Sequence, residues 1–195
     1  MGKIICFMGK SASGKDTIFR KLLEDQEPVF QKLVPYTTRP AREGEQEGQD
    51  YFFTEEEGYQ HLKQEGRIVE ERSYHTCHGL WRYFTVLDEH VDLEQENYGL
   101  IGTLEAFTGI CAYFGTDRVI PVLIEVEDGI RLKRALDRER QEQSPRLEEM
   151  CRRFLADSQD FSEEKIEAAG IVRRFRNEDM DSCLEEIRDY LNQQL

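Results

Sequence analysis

A run near the amino terminus, GKSASGKDT from Gly9 to Thr17, has the residue types and spacing of a phosphate cradle. Gly9 lets a chain leave a strand in a tight turn, and Gly14 lets backbone N–H groups close on phosphate oxygens. Ser11, Ala12 and Ser13 fill the loop between them. Lys15 follows to bridge terminal phosphates, and a helix starting there adds the positive end of its dipole. The common form of the pattern, G-x-x-x-x-G-K-S/T, places a hydroxyl after the lysine; here Asp16 stands in that position and Thr17 comes next. A carboxylate is a hard oxygen ligand for Mg²⁺, so Asp16 and Thr17 are both candidate metal ligands. An acid in the first turn also suits a helix with no metal, and the sequence leaves both readings open.

A second group lies in YTTRPAREGEQEGQDYFF, Tyr36 to Phe53. Arg39 and Arg42 sit on a segment that Pro35 and Pro40 hold extended, and Tyr51 lies downstream. Two guanidiniums and a phenol can grip one phosphate from several sides. A third stretch, DRERQEQSPRLEEMCRR, reads as two charged helices broken near Ser144-Pro145 and carries Arg138, Arg140 and Arg153. Phosphoryl transfer asks for positioning and positive charge rather than covalent help, and these arginines could supply the charge. They could equally pair along the helix with Glu148 and Glu149.

Such loops need a frame that turns them toward one another. Ile4 to Met8 is an unbroken apolar run ending at glycine, as in a parallel strand covered on both faces; Ile18, Phe19, Leu22 and Leu23 then repeat at helical spacing. The apolar runs Tyr98 to Leu104 and Val119 to Val126, each followed by a helix-like stretch, predict further βα units. A short strand from Ile171 to Phe175 precedes a closing helix with Met180, Leu184, Ile187 and Leu191 on one face. The expected fold is α/β, a three-layer core with a parallel sheet of the P-loop NTPase kind, spanning 1–34, 93–137 and 158–195. A lobe at 35–92 and a helical lid at 138–157 are inserted where they stand over the strand ends.

The chain of 195 residues suits one domain. Its formal charge of −14 argues against a nucleic-acid surface but not against small anions, since a pocket's local field can oppose the global one. Five scattered cysteines form no C-x-x-C or metal spacing and read as free thiols of a reducing compartment. The opening run KIICFMGK is too short to span a membrane and lacks a leader's cleavage site, so a cytoplasmic protein with no membrane partner is expected.

Together these stretches resemble the guanylate kinase family, whose acceptor motif reads approximately T-T-R-x-P-R-x-G-E-x-x-G-x-D-Y-x-F. Thr37, Thr38, Arg39, Arg42, Gly44, Glu45, Gly48, Asp50, Tyr51 and Phe53 match as they stand. The resemblance implies a nucleoside monophosphate kinase that uses Mg²⁺ and ATP, most simply on GMP or dGMP, as a monomer or homodimer. It implies that Gly9 to Thr17 hold the ATP phosphates, with Asn177, in NEDMD, near the adenine. Arg39, Arg42 and Tyr51 would hold the acceptor phosphate, and Glu70, in IVEE, would accept two N–H groups of guanine that adenine does not offer. A register shift of one would exchange Glu70 with Glu71. Arg153 aligns with a lid arginine, and Arg138 and Arg140 flank the position of another, so Lys15, Arg39, Arg138 and Arg153 are the expected catalytic set.

The sequence departs from the family at several points. A guanine-reading serine falls on Pro35, a Tyr-Gly pair on His78-Gly79, and two aspartates on Gly102 and Leu104. His78 could replace the tyrosine as a phosphate donor or simply pack among Tyr74, Trp81, Tyr83 and Phe84. A kinase of the same fold acting on ribose 1,5-bisphosphate, whose group also carries G-K-D, is an alternative. A non-catalytic binding module is another, although the intact Lys15 argues against it.

Overall fold

A computed structural model describes residues 2–42, 44–76 and 79–195; His78 lies outside the described residues. In chain order the elements are β1 (Ile4–Met8), α1 (Lys15–Asp25), β2 (Gln31–Lys32), β3 (Tyr36–Thr37), β4 (Phe52–Phe53), α2 (Glu56–Gln64), β5 (Ile68–Thr76) and β6 (Gly79–Val86). There follow β7 (Tyr98–Ile101), α3 (Leu104–Phe114), β8 (Val119–Glu125), α4 (Asp128–Gln141), α5 (Leu147–Asp160), α6 (Glu163–Ala168), β9 (Arg174–Arg176) and α7 (Met180–Gln194).

The unbroken apolar run of β1 explains its central place. All five of its side chains are buried, with Ile4, Cys6 and Met8 in one cluster and Ile5 and Phe7 in another. A strand covered on both faces takes parallel neighbours, and β1 pairs in parallel with both β7 and β8. The sheet runs β2-β7-β1-β8-β9. On one side Leu104, Phe107 and Ile110 of α3 and Ile166 of α6 complete the core. On the other side Ile18, Phe19 and Leu22 of α1 and Cys183, Leu184, Ile187 and Leu191 of α7 complete it. Each of these larger side chains contributes about 1.5–3 kcal/mol on burial, which fixes the loops at the strand ends.

A second sheet, ordered β4-β3-β6-β5, lies between β2 and β7 in sequence. It packs on α2 through Tyr59, Phe84 and Val86. Lys63 and Tyr59 of α2 both hydrogen-bond Glu71, which ties that helix to β5. Neither α2 nor α6 is announced by the sequence periodicity, because each buries one residue only, Tyr59 and Ile166.

Two strand expectations shift. The run from Tyr98 ends as a strand at Ile101, because the Thr103 side chain accepts the Ala106 N–H and starts α3 at Leu104. The last strand is Arg174–Arg176 rather than Ile171 to Phe175; Ile171 is buried against α6 while Val172 is 93% exposed. The charged helices do separate around Ser144-Pro145, with α4 ending at Gln141 and α5 beginning at Leu147. Among the described residues no helix is long and apolar enough to cross a membrane.

Candidate functional site

The glycine run forms a loop between β1 and α1, as the spacing requires. Gly14 has φ 90°, and a Cβ there would lie 2.2 Å from Asn177 Nδ2, so only glycine fits. Asn177 is wholly buried; its Nδ2 donates to the Ser13 carbonyl at 2.7 Å and its backbone N–H to the Glu125 carbonyl at 2.7 Å. Its Nδ2 thus braces the loop, while among the described residues its Oδ1 is buried without a partner. Among the described residues the Ser13 hydroxyl is buried without a partner.

Lys15 Nζ lies 3.3 Å from Asp16 Oδ2 at the start of α1, with Asp16 largely exposed and Thr17 half-buried. No group of three acidic, histidine or cysteine side chains that could hold a metal occurs among the described residues. Mg²⁺ usually keeps several waters and takes one or two carboxylates plus nucleotide phosphates, and a lone exposed Asp16 beside the loop fits that donor set.

Two residues that no motif marks meet this loop. The Ser11 N–H donates to Asp157 Oδ2 of α5 at 2.7 Å. Arg131 of α4, 1% exposed, donates to Asp157 Oδ2 at 3.1 Å and through Nε to Asp128 Oδ1 at 3.1 Å. Its guanidinium lies 3.8 Å from the Phe154 ring centroid. In sequence Arg131 and Asp128 look like an ordinary helical pair, and Asp157 like a solvated helix residue. Arg138 and Arg153 line a narrow cleft with Ser11 and Arg131, so both expected lid arginines come beside the loop; Arg140 does not line it, and Arg138 and Arg140 are both exposed. Arg153 also pairs with Glu139 at 3.5 Å and Glu149 at 3.7 Å. Beside the loop a cleft of 390 Å³ is lined by Gly9, Lys10, Ser13, Arg131, Arg176 and Glu178, among others.

On the second sheet Arg39 is 3% exposed although it is an arginine. It donates from Nη1 and Nη2 to the two oxygens of Glu45 at 2.7 and 2.6 Å, and from Nε to Tyr83 Oη at 3.1 Å. Tyr51 lies under it, with the ring centroid 4.9 Å from the guanidinium carbon. Burial opposes the charge on Arg39, but the Glu45 carboxylate and the Tyr83 hydroxyl more than offset it and raise the pKa. The Arg39 hydrogen bonds in turn hold Glu45 below its ordinary value. Arg42 is exposed, and its backbone N–H donates to Glu45 at 2.8 Å. Tyr83 is thus a second phenol at Arg39, one that no sequence motif marks.

Glu70 lies on β5 with its side chain 3% exposed, so it is not the exposed strand residue its charge would suggest. Arg72 donates to both its oxygens, from Nε at 3.0 Å and Nη2 at 3.3 Å, and Thr85 Oγ1 donates at 2.8 Å. Glu71 faces the other side of the strand, toward α2. Gly102 packs against Cys6 and Ala106 instead of offering a carboxylate.

A family model described as guanylate kinase matches residues 1–80 of the chain. The guanylate kinase of Streptococcus pneumoniae (strain ATCC BAA-255 / R6) is 41% identical over 73 residues, 37% of this chain and 35% of that protein. The guanylate kinase of Anaplasma phagocytophilum (strain HZ) is 43% identical over 70 residues, 36% of this chain and 33% of that protein. The matched region thus spans about a third of the length of either relative. The crystal structure of guanylate kinase from Anaplasma phagocytophilum superposes over 99% of this chain and 86% of its own, with a TM-score of 0.65 at 19% identity.

Proposed function

From a chain similar to guanylate kinases over residues 1–80 and sharing their fold along its length, we propose a member of that family, an enzyme that moves the γ-phosphate of ATP to GMP or dGMP. The observation that carries this reading is the glycine loop from Gly9 to Thr17 between β1 and α1, with, on the second sheet, Arg39 beside Tyr51 and Tyr83, whose fork Glu45 engages and would have to yield to an acceptor phosphate. One suits a polyphosphate and the other a single phosphate. The ribose bisphosphate alternative and the non-catalytic module are not favoured by the comparisons.

In this mechanism the loop amides and Lys15 hold the ATP phosphates, and Arg39, Arg42 and Tyr51 aim an acceptor phosphate oxygen at the γ-phosphorus. The attack is direct and in line, with no protein nucleophile. Lid residues Arg138 and Arg153, with Arg131 behind them, spread positive charge over the transferring group, and the closing lobes 35–92 and 138–157 exclude water. Asp16 and Thr17 would hold Mg²⁺, which supplies charge neutralisation between the phosphates when bound. The working partners are small nucleotides in a soluble, cytoplasmic setting.

The test is ADP release with Mg·ATP over GMP, dGMP, AMP, CMP, UMP, dTMP and ribose 1,5-bisphosphate. Turnover with GMP or dGMP and little with the pyrimidines is the expected result. Turnover with ribose 1,5-bisphosphate alone would overturn it.

A further inference from the structure

Asp157, near the end of α5, has the sequence surroundings of a solvated helix acid, yet its side chain is only 18% exposed and one of its oxygens is held from two directions. Oδ2 accepts the Ser11 backbone N–H at 2.7 Å and Arg131 Nη1 at 3.1 Å. A backbone donor of a glycine loop and a guanidinium that converge on one anionic oxygen make the kind of place a phosphate oxygen takes. Here a carboxylate of the chain itself occupies it.

Arg131 is anchored independently of that oxygen. Its Nε donates to Asp128 Oδ1 at 3.1 Å on its own helix, its Nη1 reaches the Ser11 carbonyl at 3.5 Å, and its guanidinium lies against the Phe154 ring. Among the described residues its Nη2 is buried with no partner. A guanidinium with one terminal nitrogen unspent keeps donors in reserve, and a phosphoryl group offers more acceptor oxygens to them than a carboxylate does.

The neighbours of this place say which phosphate it suits. Ser11 and Arg131 line one narrow cleft with Arg138 and Arg153, the lid arginines assigned above to the transferring group. Lys15 stands beyond Gly14, at the start of α1. An oxygen bound between Ser11 and Arg131 therefore belongs to the phosphoryl group that moves, rather than to the phosphates that stay on ADP.

We propose that Arg131 is a further catalytic residue that binds the γ-phosphate together with the Ser11 N–H, and that Asp157 holds this place until ATP arrives and returns to it after transfer. This rests on the kinase reading and adds to it a carboxylate-for-phosphate exchange. The exchange makes the loop tell ATP from ADP. Only ATP has to displace Asp157, and only ATP gains Arg131.

The experiment measures affinity for Mg·ATP and Mg·ADP by calorimetry, and kcat with Mg·ATP and GMP, on the full chain and on Asp157→Asn and Arg131→Lys. Asp157→Asn should tighten ATP about fivefold and leave ADP within about twofold, because the displaced group no longer carries charge. Arg131→Lys keeps a charge but loses the planar fork. It should weaken ATP at least about tenfold, leave ADP within about twofold, and lower kcat at least about tenfold. The retained ADP affinity is the check on the fold. Parallel changes for ATP and ADP in either variant would overturn the proposal, since a residue that only braces the loop acts on both nucleotides. ATP affinity and turnover untouched by Arg131→Lys would overturn it as well. Should Arg131→Lys not fold, Asp157→Asn decides alone: a gain selective for ATP supports the exchange, and no gain, or an equal one for ADP, rules it out. Absence of Mg·ATP binding to the unaltered chain would remove the proposal together with the kinase reading on which it rests.

Discussion

The carboxylate of Asp157 sits on the phosphate loop itself, accepting the Ser11 N–H at 2.7 Å while Arg131 donates to the same oxygen at 3.1 Å. A lid helix thus places its own anion on a donor that the loop would turn toward nucleotide phosphate. On the proposed function, nucleotide and Asp157 would compete for that N–H, and their charges would repel. Asp157→Asn keeps the shape and removes the charge. It should tighten ATP binding by about fivefold, roughly 1 kcal/mol, as measured by calorimetry. Unchanged or weaker binding would mean that Asp157 serves only to hold Arg131.

Asn177 bears on stability before it bears on ligand. Its Nδ2 is the partner of the buried Ser13 carbonyl, and it fills the space that Gly14 leaves open. Asn177→Ala should cost about 1–3 kcal/mol through the orphaned carbonyl. At this chain length each kcal/mol lowers the melting midpoint by about 2–4 °C. ATP affinity should fall with it, because the loop loses its brace. A variant that melts normally yet binds ATP poorly would restore Asn177 to the nucleotide side.

The core and the first grip were legible in sequence because their signals are local. β1 is five consecutive buried apolar residues, and Gly9, Gly14 and Lys15 are fixed by spacing within one loop. Arg39 and Tyr51 were legible through a motif, and the structure brings them together. What sequence hides is the partner across space. Tyr83 meets Arg39 from 44 residues away, Asp157 meets Ser11 from 146 and Asn177 meets Ser13 from 164. Glu70 was legible as a residue, but not its partner Arg72, two positions on, which donates to both of its oxygens. The strand from Ile171 was misplaced for a related reason. Ile171 is apolar because it packs against α6, and burial alone does not say which backbone shape achieves it.

The Arg39–Glu45 pair gives stability a pH dependence. Glu45 is held below its ordinary value of 4.5, chiefly by the Arg39 hydrogen bonds. A depressed carboxylate stabilises the fold fully above its unfolded pKa, and that contribution is lost as pH falls through the folded one. The melting midpoint of the wild type should therefore exceed that of Glu45→Gln by a constant amount from about pH 7 to 5. The gap should close below about pH 4.5. Parallel thermal melts across that range check it, and the absence of any gap at pH 7 would show that Arg39 is held by Tyr83 and burial rather than by charge.

Asp16 separates two uses of an acid at a helix start. Beside Lys15 Nζ at 3.3 Å and largely exposed, it favours the dipole of α1 whether or not a metal is present. As a hard oxygen ligand it would add a second contribution that only Mg²⁺ reveals. Asp16→Asn keeps an N-terminal side chain with a polar oxygen and loses the charge, so the helix effect alone should change stability by less than about 1 kcal/mol. A metal ligand predicts more: the Mg²⁺ concentration for half-maximal turnover should rise about tenfold, with ATP affinity in the absence of metal unchanged or tighter because a negative charge has left the loop. Titrating Mg²⁺ at saturating ATP and acceptor distinguishes the two. An unaltered half-maximal concentration would leave Asp16 as a helix charge, and Thr17 would then be the hydroxyl that serves the metal from one position later in the chain.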